Sequence, residues 1–561
     1  MNEQRLGIDT LIAGAKSGEL SRRDILKGSV ALGLGLPFGM ALVNAGGANA
    51  QDAMTLSFDA GATQGGGGKP NAEAIAYSFI VNGGSQFEIN RMVDARLVTI
   101  SSDLQEMVGD LAESWEISDT TATFKLRQNA VWHDGTPVTS KDVVFTINML
   151  TDPATTSRWG SAFRNVVGYA DAQATPTAGP TSLSGVTAPD DYTVQIDLVQ
   201  PDSGMLPGFM FISIMPEHVL GTADRATITE LPFWTTNERV GAGPFKFVNL
   251  VEGERVELVA HDQYHFGAPA VKNLNLLFFS SAETSLAAFQ QGSNLAAPMT
   301  INDIELVGGI EGAESIGFPA GVGVIFFNAY QEYLQDKRVR QAVAYAIDKK
   351  TIAETIFQGQ VQAVSTEIPY VTWAQPADAN PYDYDPEKAK TLLEEAGWTG
   401  EHTLGLWYYY TDPITASAME AIQQYLQAVG INTELKFDDG SGVRTQEVAD
   451  HTWDMTYGSF GAQPAPSNLT AVWGPPGYVT YGWESAEFNA EMDAALLTYD
   501  QDEQATHYQA AIKILNEEAP SVWLFDRQNL VAVNTAKLEN SVWGPGHIMW
   551  LNNAQSWTVV E

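Results

Sequence analysis

Histidines beside acidic residues, and histidines at helical spacing, are the side chains of this sequence that could do chemistry. His133 and Asp134 adjoin in a tight-turn sequence, but neighbours in such a turn seldom face each other, and no serine motif accompanies them. This segment therefore predicts a structural turn. His261 and His265 have the four-residue spacing of a helical metal site, yet the segment is not convincingly helical and no third ligand is evident. We expect two surface histidines there.

Composition limits the remaining chemistry. The 561 residues include no cysteine, which excludes disulfides, thiolate metal ligands, a thiol nucleophile and the lipid-carrying cysteine of a bacterial lipoprotein. Residues 438–442 lack the ligand pattern and closing glutamate of a calcium loop and indicate an acidic loop. We expect no metal and no cofactor. Acidic residues are abundant enough for two of them to act as the carboxylates of a glycosidase, which is one alternative function.

Aromatic residues supply more informative candidates. The chain has 14 Trp and 19 Tyr, more than two cores need, and their flat faces with polar edges suit stacking on sugar rings or clamping a peptide. Residues 407–410 are four successive aromatics at the end of a predicted parallel strand, where ligands of such sheets usually bind. Because alternate residues of a strand share a face, we expect Trp407 and Tyr409 in one environment and take them as ligand contacts.

Glycine-rich turns could also approach a ligand. Residues 65–68 are four glycines, and residues 82–85 read Asn-Gly-Gly-Ser between short apolar runs. Glycine permits left-handed backbone and the close approach of another group. We expect Asn82, Gly83 and Ser85 at the site, whereas the four-glycine run is more simply a surface loop.

The elements that must position these residues follow from periodicity. Alternating apolar residues within 113–127 predict a hairpin with one buried side. Thr139 and Asp142 resemble a capping box that starts a helix. In the second half a strand, a helix ended by Gly430 and another strand follow one another, at residues 404–410, 419–429 and 431–437. This βαβ unit predicts a parallel sheet with helical cover.

The N-terminus carries an export signal. Arg22 and Arg23 precede a mildly apolar stretch that is shorter than the roughly 20 residues needed to span a bilayer, and the small-residue pattern 48–50 follows it. This arrangement is typical of a twin-arginine signal, here residues 1–50, cleaved before Gln51. We expect the mature chain to be free in the periplasm, neither inserted in the membrane nor anchored to it by lipid.

The overall charge limits the partners. The chain has 68 acidic and 30 basic residues and a formal charge of −38. A surface of this sign repels nucleic acid and anionic lipid. We therefore expect no nucleic-acid partner.

Several strings of the sequence together resemble the family 5 extracytoplasmic solute-binding proteins, the peptide, nickel and oligosaccharide group of ABC importers. The matching strings are residues 111–118, 124–127, 131–139, 141–145, 188–194, 241–246, 339–348 and 384–390. They occur in the order of the family and extend over nearly the whole mature chain. Each string alone has moderate specificity, and the ordered set is very specific.

The resemblance implies an α/β chain with the two-lobed periplasmic-binding-protein fold (type II, cluster C-like) and an extra subdomain in the larger lobe. The implied parts are lobe 1 subdomain a (51–88, 206–312 and 526–561), the inserted lobe 1 subdomain b (89–205) and lobe 2 (313–525). Two crossover segments would join the lobes. Ligand would bind between them and close them by hinge bending.

The resemblance also implies which loop lines the pocket. This loop corresponds to residues 453–464 and would contribute Ser459, Phe460, Gly461, Ala462 and Gln463. Peptide-binding members commonly place there an aspartate that pairs with the α-ammonium of the ligand, whereas here Gln463 stands at or near that position. A neutral amide cannot balance a buried ammonium charge. Unless Asp454 reaches the pocket, an oligosaccharide or a blocked peptide is favoured over a peptide with a free N-terminus.

Function and partners follow from the same resemblance. It implies a monomeric binding protein with no chemistry of its own. Its partners would be a small-molecule or oligomeric solute and an ABC permease and ATPase complex in the inner membrane. Service to a membrane sensor in place of a transporter is a further alternative that the sequence leaves open.

Overall fold

The structure is a computed structural model. It describes Lys27 and residues 53–59, 86–101, 106–174, 181–234, 236–279, 281–410, 412–461, 465–475, 481–541, 543 and 553–560. Of the predicted signal segment only Lys27 is described, and both glycine-rich turns lie outside the described residues.

The strands and helices are numbered in chain order. The strands are β1 (Ala53–Asp59), β2 (Val98–Ile100), β3 (Met107–Gly109), β4 (Ala112–Ile117), β5 (Thr121–Leu126), β6 (Val186–Asp190), β7 (Thr193–Asp197), β8 (Phe245–Val251), β9 (Arg255–Ala260), β10 (Asn273–Phe279), β11 (Ala296–Met299), β12 (Ala313–Phe327), β13 (Thr403–Tyr408), β14 (Asn432–Phe437), β15 (Met455–Gly461), β16 (Ser521–Asn534), β17 (Leu538–Glu539) and β18 (Thr558–Val559). The helices are α1 (Gln86–Val93), α2 (Ser140–Thr151), α3 (Tyr169–Ala174), α4 (Met205–Gly208), α5 (Glu217–Leu220), α6 (Ala282–Gln290), α7 (Ile304–Gly308), α8 (Glu332–Gln335), α9 (Lys337–Ala346), α10 (Lys349–Thr355), α11 (Pro386–Glu395), α12 (Pro413–Ala428), α13 (Val443–Ala449), α14 (Thr470–Trp473), α15 (Ala486–Leu496) and α16 (Gln501–Glu518). Within the described part of the chain, no helix combines the length and the apolar character needed to cross a membrane.

Subdomain b is built on the predicted hairpin. β4 and β5 pair antiparallel in a sheet of order β4-β5-β7-β6. Phe124 and Leu126 are buried on one face of β5, and Lys125 between them is exposed. The capping box is also confirmed, because the Thr139 N–H donates to Asp142 Oδ2 at 2.8 Å and α2 begins at the next residue. Alternation and capping are local signals, and both predicted the structure here.

Subdomain a of lobe 1 contains a sheet of order β1-β10-β9-β8. β1 runs parallel to β10, whereas the other pairs are antiparallel. Phe245 and Leu274 from this sheet share a core with Val531 and Trp557 from the C-terminal part of the chain. The end of the chain therefore packs against lobe 1.

A six-stranded sheet of order β11-β16-β12-β15-β13-β14 spans both lobes, with β11 at the lobe 1 end and β15, β13 and β14 in lobe 2. β13 is parallel to both β14 and β15, and α12 connects β13 to β14. Asp412 caps α12, because its Oδ1 accepts the Thr415 N–H at 2.7 Å. The βαβ unit is thus confirmed, but β13 ends at Tyr408 and the predicted strand continued to Tyr410.

β12 and β16 are the two segments that cross between the lobes. They pair antiparallel along most of their length. Phe318 and Val531 belong to the core of lobe 1, whereas Val322 and Phe525 belong to cores of lobe 2. The chain therefore passes between lobes near residues 319–321 on β12 and residues 526–530 on β16. The wider domain limits given above stay predictions.

Candidate functional site

The candidate site is the edge of the six-stranded sheet at which β13 and β15 end. Ligands of open parallel sheets bind outside the carboxyl ends of the strands, and both crossover strands pass this edge. Gly321 of β12 pairs with Gly461 of β15 on one side and with Arg527 of β16 on the other. These three residues form one row, with about 10 Å between its outer members from the usual strand spacing.

Gly321 leaves the middle of this row without a side chain. A Cβ at this position would lie 2.3 Å from the carbonyl oxygen of Phe460 and 2.9 Å from Ser459 Oγ. In the next row on the same face, a Cβ at Gly323 would lie 3.0 Å from Tyr457 Oη. Gly321 therefore adds no side chain to the row, whereas the side chains of Tyr457 and Phe525 cover Gly323 in the next row.

Two stacked tyrosines border this row. The ring centroids of Tyr409 and Tyr410 are 4.4 Å apart, and their hydroxyl oxygens are 3.2 Å apart. The guanidinium carbon of Arg527 lies 4.3 Å from the Tyr410 centroid, and that of Arg444 lies 5.5 Å from the Tyr409 centroid. Two cations thus flank a tyrosine pair in cation–π geometry.

Arg527 is the charged member of the row. Its side chain is partly exposed, but its Nη1 is buried and has no hydrogen-bond partner among the described residues. Burial lowers the pKa of this guanidinium, but the nearby tyrosines and Asp412 outweigh burial and raise it. Burial also raises the pKa of Tyr457 to about 12. The site therefore presents a permanent cation among neutral phenols.

Tyr370 joins the two lobes at this edge. Its hydroxyl donates to the carbonyl oxygen of Gly321 at 2.7 Å. Its ring packs against Ile100 and Met210 of lobe 1, beside Phe211. Burial raises the pKa of Tyr370, which keeps the phenol neutral. The lobes are therefore in contact in this structure, at a residue bonded to Gly321 of the row.

A second contact between the lobes is polar. The Ser203 N–H donates to the carbonyl oxygen of Leu496 at 2.9 Å, and Ser203 Oγ donates to that of Ala495 at 3.2 Å. The Asp202 N–H donates to Tyr499 Oη at 3.1 Å. The loop after β7 is thus fixed to the end of α15 by three hydrogen bonds.

A cavity of about 420 Å³ lies elsewhere on lobe 2, beside Lys349. The Nζ of Lys349 donates to the carbonyl oxygens of Val364 and Pro381, both at 3.0 Å. Burial lowers the pKa of Lys349 to about 8. Because this ammonium is already bonded to the backbone, it is a structural group.

Two of the predicted contact residues are buried on the face opposite to Arg527. Trp407 and Phe460 belong to the lobe 2 core that also contains Val322 and Trp523. The Trp407 Nε1–H donates to Glu447 Oε2 at 2.8 Å. These two residues support the strand ends from behind.

The other described candidates lie at the row itself. Tyr409, Ser459 and Gly461 are partly exposed at the ends of β13 and β15. Tyr409 follows the end of β13 and stacks on Tyr410. Its hydroxyl would lie 3.8 Å from a Cβ at Gly458, which shares a face with Phe460, so the common environment of Trp407 and Tyr409 stays a prediction. The remaining candidates lie outside the described residues: Asn82, Gly83, Ser85, Ala462 and Gln463.

Asp454, the acid that could have served in place of Gln463, is used elsewhere. Its Oδ2 accepts the Gly405 N–H at 2.7 Å, and its Oδ1 accepts the hydroxyl of Tyr333. It precedes β15, at the opposite end of this strand from Gly461. Asp454 therefore does not supply a carboxylate to the row of Gly461, Gly321 and Arg527.

Sequence reasoning missed Arg527, Tyr370 and the pairing of Gly321. The apolar residues 522–525 alone predict a strand that ends at Phe525, whereas β16 continues to Asn534. The one available signal was a lone arginine two residues after this apolar run. Its place beside Gly321 depends on strand pairing between distant segments, which local patterns do not reveal.

The turn predicted at His133 and Asp134 is confirmed. His133 Nδ1 accepts the Gly241 N–H, and its Nε2–H donates to the carbonyl oxygen of Gly243, both at 3.1 Å. Burial lowers the pKa of His133 to about 3, so the ring is neutral. Asp134 contacts His218 at 2.8 Å and does not contact His133. The pair is therefore structural.

The prediction that His261 and His265 lie on the surface is wrong. They are 1% and 8% exposed, in the turn after β9. His261 Nδ1–H donates to the carbonyl oxygen of Gly243 at 3.2 Å, and His265 Nε2 lies 2.8 Å from Asp110 Oδ1. Both rings are buried because they join this turn to subdomain b. In the described ranges, no group of three or more potential metal ligands is assembled.

Comparison with known proteins identifies the family of this chain. The family model described as bacterial extracellular solute-binding proteins, family 5 Middle, matches residues 106–478, more than half of the chain. A protein of Brucella melitensis named as an ABC transporter peptide-binding protein is 29% identical over 484 residues, which are 83% of this chain and 88% of that protein. Heme-binding protein A of Haemophilus influenzae is 27% identical over 471 residues, 79% of this chain and 83% of that protein.

A solved structure agrees in fold. The oligopeptide-binding protein AppA of Bacillus subtilis, in complex with a nonapeptide, matches with a TM-score of 0.73 at 21% identity, over 91% of this chain and 100% of that chain. The fold and the site between its lobes define a two-lobed solute-binding protein. The chain belongs to the family 5 extracellular solute-binding proteins of ABC importers. Members of this family are extracytoplasmic and are not enzymes, which excludes the glycosidase alternative.

Proposed function

We propose that this chain captures an oligopeptide-sized organic solute between its lobes and delivers it, as a monomer, to an ABC permease and ATPase complex in the inner membrane. The observation that carries the proposal is the row of Arg527, Gly321 and Gly461, which lies where both crossover strands pass between the lobes. A solute on this row contacts the strands that must bend when the lobes move. Binding then shifts the population toward the closed form, which the permease recognises.

The proposed cargo is an oligosaccharide or a peptide without a free N-terminal ammonium. The neighbouring hydroxyl groups of Tyr409 and Tyr410, 3.2 Å apart, offer hydrogen-bond donors and acceptors that suit either cargo. Asp454 already accepts two hydrogen bonds away from the row, and Gln463 is the expected replacement for the ammonium-binding acid. The relatives described above carry the names of peptide-binding and heme-binding proteins, so family membership alone leaves the cargo open.

The proposed contact residues come partly from the structure and partly from the sequence. Tyr409, Ser459 and Gly461 are the described ones, with Trp407 and Phe460 supporting them. The predicted residues outside the described part complete the proposed set: Asn82, Gly83, Ser85, Ala462 and Gln463.

The test of capture combines cargo identification with a site variant. Native mass spectrometry of the protein purified from periplasm gives the mass of a retained solute. A casein digest before and after N-acetylation, and a hydrolysate of cell-wall polysaccharide, serve as added probes in thermal unfolding. Tyr409→Leu should reduce the ligand-induced rise in Tm several-fold, since one hydroxyl group of the tyrosine pair is lost. Tyr384→Leu, at a tyrosine 43% exposed elsewhere on lobe 2, should leave the rise unchanged.

Two outcomes count against this proposal. Stabilisation only by peptides with a free N-terminus contradicts the proposed cargo. An equal rise in Tm for wild type and Tyr409→Leu places the cargo away from the row.

We also propose twin-arginine export, cleavage before Gln51 and residence in the periplasm without a lipid anchor. Arg22, Arg23 and the absence of cysteine from the sequence support this proposal. In osmotic-shock fractionation, the wild-type protein should appear in the periplasm with Gln51 as its N-terminus, and a variant carrying Arg22→Lys and Arg23→Lys should stay in the cytoplasm. Export of that variant in normal amounts would exclude this pathway.

A further inference from the structure

We infer that Arg527 binds a carboxylate of the cargo, so that the captured solute is an organic acid in addition to being oligopeptide-sized. This inference deepens the proposed function and rests on it. Neither the family model nor the names of the relatives assign a role to Arg527. The surroundings of the Arg527 guanidinium support this inference.

Arg527 lacks a counter-ion within the described part of the chain. No described carboxylate lies within the 4.0 Å that defines an ion pair, and its Nη1 is buried without a hydrogen-bond partner there. A buried donor without a partner is costly, and proteins generally pair such groups. Its nearest aromatic neighbour, Tyr410, offers a ring face and leaves the fork of N–H donors unused.

The two acids closest to Arg527 are committed elsewhere. Asp412 caps α12 by accepting the Thr415 N–H at 2.7 Å. Asp526 belongs to the opposite face of β16, where its Oδ2 accepts Gln528 Nε2–H at 2.9 Å and its Oδ1 accepts the Gln362 N–H. Neither acid forms an ion pair with the guanidinium, and Asp412 raises its pKa only from beyond 4.0 Å.

Other arginines with low exposure show how this protein usually satisfies such a group. Arg239 pairs with Asp94 at 2.9 Å. Arg255 on β9 pairs with Glu257 at 2.6 Å. Arg340 donates to backbone carbonyl oxygens, including that of Leu334 at 2.8 Å. Arg527 differs from all three, because it has a cation–π contact but no acceptor among the described residues.

The position of Arg527 gives its free donors access to a solute. It shares a face and a row with Gly321 and Gly461, neither of which has a side chain, and Arg527 itself is partly exposed. The planar fork of an arginine matches a carboxylate in a bidentate hydrogen-bonded pair.

A carboxylate could come from either cargo class. A peptide with a blocked N-terminus supplies its C-terminal or side-chain carboxylates, and an acidic oligosaccharide supplies uronate groups. In both cargo classes the group that Arg527 would bind is a carboxylate, about one strand spacing from the tyrosine rings.

The experiment uses two matched pairs of probes on the purified protein. The first pair is an N-acetylated casein digest with free carboxylates and the same digest after methyl esterification. The second pair is oligogalacturonate and its methyl ester. The concentration of each probe that gives half of the maximal rise in Tm is measured for wild type, Arg527→Gln, Arg527→Lys and the control Arg255→Gln. Circular dichroism checks that each variant is folded.

We expect one free-acid probe to act at a concentration at least tenfold lower than its ester on the wild-type protein, and that pair identifies the source of the carboxylate. Arg527→Gln should weaken this probe about thirtyfold or more and abolish the preference over the ester. Arg527→Lys should restore part of the preference, because it keeps the charge without the fork. Arg255→Gln should keep the full preference.

Three results would overturn the inference. They are equal action of acid and ester on wild type, an unchanged preference in Arg527→Gln, and loss of the preference in Arg255→Gln. If esters bind and Tyr409→Leu weakens them, the inference fails and the proposed function stands. If none of the four probes binds and no retained solute is found, both fail.

Discussion

The guanidinium carbon of Arg527 lies 4.3 Å from the ring centroid of Tyr410, with no described carboxylate inside the 4.0 Å range of an ion pair. The cation–π contact and the raised pKa of this guanidinium offset the cost of its partial burial. We predict that Arg527→Met, which removes the charge and keeps an apolar stem, changes the free energy of unfolding of the cargo-free protein by less than about 1 kcal/mol. Urea denaturation measures this change.

Arg340 provides the contrasting variant. Its guanidinium is 2% exposed and donates to four backbone carbonyl oxygens, so Arg340→Met should destabilise the protein by about 3–5 kcal/mol. Destabilisation by both variants would mean that Arg527 is also satisfied in the empty protein.

Gly321 is expected to tolerate no side chain. A methyl group there would lie 2.3 Å from a carbonyl oxygen of the neighbouring strand, so Gly321→Ala must separate β12 from β15. We predict a loss of about 2–4 kcal/mol in unfolding free energy, as for other overpacked core sites. Gly308→Ala is the control, because a Cβ there meets nothing within 4 Å. An unaltered Tm for Gly321→Ala would contradict the row described above.

His133 should make the protein acid-sensitive. Burial is the main cause that lowers its pKa to about 3, with weaker contributions from His261, Lys246 and Arg239. Its unfolded pKa is about 6.5, so the unfolded chain binds the proton first. Stability is fully present above pH 6.5 and falls by about 1.4 kcal/mol per pH unit as the pH drops toward 3.

His133→Gln removes this titration. Urea denaturation at pH 4.5, 5.5 and 7.5 should therefore show a shallower loss in the variant than in wild type. His402→Gln, at an exposed histidine, should follow the wild-type slope. A slope unchanged by His133→Gln would place the acid sensitivity in other groups.

The hydrogen bond between the Asp202 N–H and Tyr499 Oη, 3.1 Å long, should favour the state in which the lobes touch. Tyr499→Phe loses about 1 kcal/mol of this preference, which raises the ratio of open to closed molecules about fivefold. Small-angle scattering of the cargo-free variant should show a larger radius of gyration. Tyr330→Phe, at a tyrosine 45% exposed, serves as the control. Equal radii for all three proteins would assign no role in closure to this contact.

The sequence predicted the parts of the fold that rest on local patterns. The hairpin before Arg127, the capping box at Thr139 and the βαβ unit ended by Gly430 each depend on residues close together in the chain. The periodicity and the end signals of each of these units lie within one short segment of the sequence. The ordered family strings then supplied the arrangement of these units in two lobes.

The site was only partly predictable because it depends on pairing over long distances. Ser459 and Gly461 were named from the family loop, but Arg527 reaches the same row only because β16 continues past the end of its apolar pattern. Trp407 was expected to contact ligand and is instead held in a core by Glu447. An aromatic side chain at a strand end can face either way, and only the packing around it decides.

The pairing of β11 with β16 has a consequence for biosynthesis. Ala296 aligns with Val533, so β11 waits for a strand that is translated much later. Lobe 1 cannot complete its architecture before β16 has left the ribosome, and until then the growing polypeptide carries an unsatisfied strand edge. Such edges attract aggregation and chaperones. A premature stop codon after Ser521 would therefore leave both lobes unfinished, however short the missing piece.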